Sequence, residues 1–547
     1  MSSSFADLSG NGLGVLFTDR ITNGVAPEDV LEGVESIAIN AGPAIRRILA
    51  AGYPLLLRKG EVYIVEPDPD SALGGGEFAW SIKVPSNAVI IGEGGLIKQA
   101  DNAPSWCRTV SFQSSTNVRV IGTLRVDGNV DNINPDINNE HMHCVFLYNT
   151  TNFHIDAIEA VNARGDCVYI GGDDNTRGTC DGYIGRTVCA TAGRKCLVWH
   201  TFDNIHMNSV FLNNTAGGAA LYGGIADSTD GDCFDVEPDN NDGTVRNYGK
   251  IDTLYTKGAG NDFAAGITPV QAANVVVEIG SFVSEIVSRA GVPPLVMNAI
   301  TMVVGRYEQY GASATSPFGR IQYSARAKFG FAKIEHNLAD YALYITAVNT
   351  AGVINRPQVE FSDLQIINSL GEGLRVVNAQ VAINDQYVPE TLKNTIWSYS
   401  TLSTGINFAD VSINRIVLKN VGQPTGAGYC MLASKGGTDI AYLHIGQLVH
   451  TDSRSPDNNS IVYIGNGNAA GVTIDSVINR TTAVPLFQWA GTDTWAKVGN
   501  NFFCNGSPEG LIAAPVGSIA QRQNGTAGSI VYAKSSGTGN AGWTGLS

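Results

Sequence analysis

Five short segments recur along the middle of the chain: HCVFL at 143, DCVYI at 166, KCLVW at 195, DCFDV at 232 and DFAAG at 262. Their successive offsets are 23, 29, 37 and 30 residues, and four of the five carry a cysteine in second place. A second unit, an apolar residue followed three later by another and usually preceded by Asn or Asp, recurs in NFHIDAIEAVN at 152, NIHMNSVFLNN at 204, DVSINRIVLKN at 410, DIAYLHIGQLVH at 439 and GVTIDSVINR at 471. Its marker steps by 44 from Val210 to Leu254, 28 to Phe282, 32 from Ile416 to Leu448 and 29 to Val477. Intervals near 30, with 44 readable as a double step, fit the coils of a solenoid with loops of variable length. At 547 residues the chain exceeds the roughly 250 to 300 at which a single globular core stops growing, so it forms either several domains or one elongated repeat.

Composition narrows the solenoid. Glycine stands at 63 residues and charged residues at only 16%, a balance that suits many short strands joined by turns and opposes coiled coil or disorder. A propeller needs blades of about 40 to 45 residues and a leucine-rich repeat needs its Leu and Asn pattern. Three short strands with turns in about 25 to 30 residues leave the parallel β-helix, an all-β class. The expected organisation is an N-terminal lead and capping helix over 1–52, a β-helix over 53–480, and a C-terminal trimerisation and cap region over 481–547. Ala44, Ile45, Ile48 and Leu49 in AIRRILAA have helical spacing, and Gly52 closes that segment. Strand-length apolar runs take over from Tyr53. Markers blur between Phe282 and Pro357, where further coils or an inserted sheet fit equally. Residues 480 to 514 are expected to leave the helix for a trimer interface.

The net charge of −15 disfavours nucleic acid and anionic membrane as partners. Nine cysteines without a CxxC pair read as buried reduced thiols, and the cysteine column as a ladder of small soft side chains rather than zinc ligands, which would sit closer together. MSSSFADLSGNGLG lacks a basic region followed by an apolar one, so the expectation is a protein made in a cytoplasm without a classical secretion signal.

Certain stretches resemble bacteriophage tailspikes and capsule depolymerases of the pectate-lyase-like right-handed parallel β-helix group. They are LLLRKGEVYIVE, VIIGEGGLIKQAD and the terminal PVGSIAQRQNGTAGSIVYAKSSGTGNAGW, whose YxKxxGTGNxGW pattern is similar to a module at the ends of phage fibres and spikes. Phe234 to Pro238 match the last five places of that group's GIDIEP segment, with Cys233 in place of its glycine. The resemblance implies a homotrimer in the virion, assembled in the bacterial host cytoplasm and borne by a phage tail or baseplate protein. At the host surface it would bind and depolymerise a polysaccharide: capsule, exopolysaccharide or O-antigen.

Strand alternation in DCFDVEPD turns Phe234 and Val236 inward and Asp235 and Glu237 outward together. The markers align Phe146, Tyr169, Val198, Asp235 and Ala265 in one outward column and Tyr148, Gly171, His200, Glu237 and Ile267 in the next. A third holds Thr150, Asp173, Phe202 and Asp239. With rungs about 4.8 Å apart, His200 is expected beside Glu237, and Asp173 faces the pair from two coils away. Carboxyl separations of about 5 to 9.5 Å serve glycoside hydrolysis. The expected roles are Glu237 as general acid, its pKa raised by Asp235 and Asp239, with Asp235 or Asp173 activating water and His200 orienting or sharing the proton. Asp239, Tyr169, Tyr222 and Lys195 are candidates for holding sugar, while the inward parity of Trp199 favours core filling. No cofactor is required, though the Asp cluster leaves structural or catalytic Ca²⁺ open. A lyase would instead use Arg194, Lys195, His200 and Tyr169 as base and uronate-neutralising cations, and a pure adhesin would bind without cutting. EHMHC at 140 reads as a polar turn rather than a metal site.

Overall fold

Among the described residues short strands alternate with long bent ones. The computed structural model describes residues 24–32, 36–71, 79–101, 103–104, 106–133, 141–174, 176–215, 232–238, 245–258, 263–265, 274–286, 295–311, 319–323, 325–335, 341–350, 353–367, 372–389, 396–399, 408–421, 428–433, 440–453, 458–464, 470–479, 487–489, 494–522, 525 and 530–546. The chain divides into two compact units between Glu285 and Ile286, each a parallel β-helix.

In the first unit the short strands Val145–Tyr148, Val168–Gly171, Leu197–Trp199, Phe234–Val236 and Phe263–Ala265 pair in parallel, each with the next. The long strands Thr151–Ala163, Thr179–Ala192, Phe202–Asn214 and Asn247–Gly258 do the same. Val210 pairs directly with Leu254, so the 44-residue interval is a single rung and not a double step. The surplus length falls between these two long strands, on either side of Phe234–Val236.

In the first unit the Asn or Asp before the apolar marker has a structural cause. Asn87, Asn117, Asn152, Asp181 and Asn204 all adopt left-handed backbone conformations, with φ of 62°, 56°, 51°, 55° and 53°. Short polar side chains tolerate that region best after glycine. They also bond up the stack: Asn117 Nδ2 donates to Asn87 Oδ1 at 3.1 Å, Asn152 Nδ2 to Asn117 Oδ1, and Asn204 Nδ2 to Asp181 Oδ1 at 2.8 Å. The ladder fixes where each long strand begins.

Inward side chains stack by rung. Trp199, Phe234 and Phe263 are fully buried, with ring centroids 5.1 and 5.2 Å apart in edge-to-face contacts. Gly249 makes room for Trp199, since a Cβ there would stand 2.2 Å from the indole ring. Eight cysteines, Cys144, Cys167, Cys196 and Cys233 of the marker column among them, are free and buried. The helix Gly42–Ala50 buries Ala44, Ile45, Ile48 and Leu49, as their spacing requires.

The second unit contains the long strands Thr301–Tyr310, Arg326–Glu335, Gln358–Ile367, Gln380–Pro389, Phe408–Val421, Ile440–Ser453 and Ala470–Asn479, again in parallel register. The blurred stretch thus holds further coils, plus a hairpin of Val348–Thr350 with Val353–Asn355. Pairing skips Gly305, Gly330, Ser362, Asn384, Asn414, Gly446 and Asp475, one per strand, and there each strand bends. Parallel rungs run on through Phe487–Trp489 and Thr494–Val498. Antiparallel pairing then sets in with Asn501–Asn505. The final strands Ile519–Arg522, Val531–Lys534 and Trp543–Leu546 close a small core around Phe502, Ile512 and Trp543. Within it Trp543 Nε1 donates to Ile512 O at 2.9 Å, and Lys534 Nζ donates to Gly539 O at 2.8 Å.

A Cβ at Gly330 would lie 2.5 Å from the backbone oxygen of Gly305, whereas one at Gly539 meets nothing within 4 Å. Gly330→Val is therefore expected to destabilise the protein by about 1–3 kcal/mol, with Gly539→Ala near neutral. Thermal unfolding of the two variants checks the difference, and equal midpoints would refute this account of the bend.

Candidate functional site

Lys195 ends the turn before its short strand and is 3% exposed, too costly a position for an ammonium without partners. Its Nζ donates to Asp235 Oδ2 and, at 2.9 Å, to Glu237 Oε2. These carboxylates stand two residues apart, in the middle of and just past the end of Phe234–Val236, one rung above. Arg194 reaches Glu237 Oε1 and Asp166 Oδ2, each at 3.6 Å. Asp166 also accepts from the backbone N–H of Lys195 at 3.1 Å, and His143 Nδ1 lies 3.1 Å from its Oδ2. The result is a buried network of two cations and three carboxyl groups, with His143 at its inner end.

Burial pushes Asp235 well above the usual carboxylate range, against the attraction of Lys195. Glu237 moves the other way: burial opposes its charge, but Lys195 and then Arg194 outweigh it and hold its pKa below the ordinary value. For Lys195 the penalty of burial is overcome by Asp235 and Glu237, so its pKa is raised. Burial, with Arg108 and Arg194 nearby, pushes His143 far down, so the imidazole is neutral. Burial raises Asp166 to about 6, although Arg194 and Lys195 pull it down.

Several expectations are corrected by this geometry. Asp235 does not share an exposed face with Glu237; it is 4% exposed because Lys195 draws it into the network, and Glu237 alone keeps partial exposure. The pKa of Glu237 is lowered, the reverse of a general acid raised by neighbouring carboxylates, since Lys195 and Arg194 outweigh burial. Lys195 is buried on its carboxylates and is not presented to a sugar. Asp173 is exposed and accepts from Tyr148 Oη at 2.9 Å and Asn149 Nδ2 at 2.7 Å. The outward column ends on Ala264 rather than Ala265, because Phe263 pairs with Phe234. Trp199 is 0% exposed, in the core. Asp239 and Tyr222 lie outside the described residues.

Other expected neighbours do meet. Glu237 N donates to Trp199 O at 3.0 Å, which puts His200 and Glu237 at the same level of adjoining rungs. His200 contributes to holding Glu237 ionised, and its Nδ1 pairs with Thr201 Oγ1 at 2.8 Å. Tyr169 is half-buried and stacks between His143 at 4.8 Å and His200 at 6.0 Å. Its faces are thus occupied by protein rings, and burial and then Glu237 raise its pKa well above the usual value.

The sequence reading missed the Asp166–His143–Arg194 half of the network. A signal was present: the residue before each marker cysteine is His143, Asp166, Lys195 and Asp232, an alternation of basic and acidic types on successive rungs. His141 of EHMHC stacks on Trp106 at 4.1 Å. Among the described residues no group of three His, Cys, Asp or Glu side chains is placed to hold a metal ion. No helix among them is long and apolar enough to cross a membrane. Compared with protein-family models, with curated proteins and with solved structures, the chain matches none.

Because Asp166 titrates near 6 when folded and near 3.9 when unfolded, its neutral form favours the folded state. That contribution is complete below about pH 4 and is lost as pH rises through 6. Asp166→Asn, neutral at all pH, should gain on the parent protein between pH 4 and 7 by on the order of 3 kcal/mol. Unfolding curves of both proteins at several pH values test this, and a pH-independent difference refutes it.

Proposed function

We propose that the chain is a spike-type protein that binds a bacterial surface polysaccharide and hydrolyses it at the rim of the first unit, where Glu237, His200 and Tyr169 adjoin. The observation that carries this reading is the divergence of two carboxyl groups only two residues apart, with burial pushing Asp235 up while Lys195 and Arg194 hold Glu237 down. Divergent pKa values in neighbouring groups mark a site tuned for proton chemistry, and of this pair only Glu237 is exposed enough to meet a substrate. Glu237, the partly exposed and ionised member, is assigned as base or nucleophile at the anomeric carbon. His200, half-exposed at the same level, is assigned the proton for the leaving oxygen. Asp235 then positions Lys195, which keeps Glu237 charged. A homotrimer carried on a phage tail or baseplate protein remains part of the proposal, on the strength of the terminal module and the β-helix together.

Hydrolysis is preferred to β-elimination for a specific reason. A lyase must offer a cation to the substrate's uronate, and here Arg194 and Lys195 are engaged by Asp166, Asp235 and Glu237.

With host polysaccharide as substrate, new reducing ends should form without the ultraviolet absorbance of an unsaturated sugar. Glu237→Gln should slow cutting by about 100-fold or more and leave glycan binding in place. Ultraviolet-absorbing products would make the protein a lyase, and polysaccharide of unchanged size would make it an adhesin.

A further inference from the structure

The outer surface of the second unit carries a polar furrow along Gln380–Pro389, flanked by Gln358–Ile367 and Phe408–Val421. It begins beside Gln358, Gln380 and Asp410, crosses the bend at Asn384 and Asn414, and continues between Asp385 and Arg415. The first two depressions share Glu360, Ala382 and Ser412, so they are one channel, and the third starts at the next residue of each strand. Residues 380 to 386 alone span roughly 20 Å of extended strand.

The bend explains where the furrow lies. Gly330 and Gly446 occupy that position on the flanking rungs, each with a backbone oxygen 2.5 Å from where a Cβ would sit. On the three rungs between them the bend carries Ser362, Asn384 and Asn414, whose side chains point outward and are exposed. Between Gly330 and Gly446, polar side chains thus take the place of glycine where the furrow runs, as Asp475 also does one rung beyond Gly446.

Its lining is built for hydrogen bonds rather than for charge or stacking. Gln358 Nε2 donates to Gln380 Oε1 at 3.1 Å, and Asn414 Nδ2 to Asn384 Oδ1 at 3.2 Å. Each amide has two N–H donors and two lone pairs, so these bonds orient the groups and leave capacity for a ligand. Arg415 Nη1 steadies Asp385 at 3.3 Å. Four lining carboxylates, Glu360, Asp363, Asp385 and Asp410, face only Lys328 and Arg415 as cations, an excess that accepts sugar hydroxyls and repels uronates or sialic acids.

We propose that this furrow is a second carbohydrate site, which holds an extended stretch of uncharged polysaccharide by hydrogen bonds without cutting it. It goes beyond the reading of the Lys195 network and stands on different residues in the other unit.

The test applies the full-length protein to an array of bacterial polysaccharides, together with dextran, mannan and galactan as neutral probes and polygalacturonate as an acidic one. Retention by at least one neutral polysaccharide is expected. Ala382→Trp, which fills the channel from an exposed position, should weaken that affinity about tenfold or more, and Ser412→Arg should do the same if the first variant folds poorly. Ala382→Trp should leave the cutting of short host-polysaccharide fragments unchanged, which separates this site from the proposed cutting site. Retention confined to acidic polysaccharide, no retention at all, or equal retention by folded Ala382→Trp and Ser412→Arg proteins would overturn the proposal.

Discussion

In-register hydrogen bonding between successive coils is the constraint on which the rest of this protein depends. Once Leu197 pairs with Phe234 and Phe234 with Phe263, every side chain has a counterpart about 4.8 Å away on the next rung. A residue type that tolerates its own stacking is then favoured at each column. Asparagine supplies both a left-handed turn and an amide that bonds its copy above. Cysteine and phenylalanine fill the interior without demanding partners.

Charge cannot be stacked in that way, because like charges on adjacent rungs repel in a medium of low dielectric. The column before the marker cysteines resolves this by alternation, with neutral His143, then Asp166, Lys195 and Asp232. The arrangement has a chemical consequence. A buried ammonium that must find partners draws Asp235 inward and fixes Glu237 at the rim, so the demand for neutrality within the ladder also sets the protonation states at its edge. Stability from such a network is modest, since desolvation offsets much of the attraction. Its clearer product is the unequal behaviour of two neighbouring carboxyl groups.

The coil repeat, the capping helix, the buried cysteine ladder and the inward Trp199 were legible because periodicity reports directly on which face of a strand meets the core. The level of His200 beside Glu237 was legible for the same reason. Alternation says which way a strand residue points but not how far a long neighbouring side chain will reach. Asp235 was therefore read as exposed, when Lys195 folds over it, and the pKa of Glu237 was assigned from the carboxylates nearest in sequence rather than the cations nearest in space. The register slip at Phe263 has a similar origin. DFAAG lacks the cysteine that marks the other rungs, so nothing in the sequence distinguished Phe263 pairing with Phe234 from Ala264 doing so.

The two units use one architecture with different outer surfaces, and the difference lies in what the ladder does with charge. In the first, acidic and basic side chains close on each other at the short strands and leave Glu237 as the partly exposed carboxylate of the network. In the second, the carboxylates lie along an open bend and the amides pair edge to edge. A network that has satisfied its own charges suits a task that needs one carboxylate in a defined protonation state. A surface whose amides retain hydrogen-bonding capacity suits a task that needs many weak bonds to a flexible polar chain. Both follow from the same rung spacing, so the proposed division between cutting and holding requires no change of fold, only a change in which columns carry acids, bases and amides.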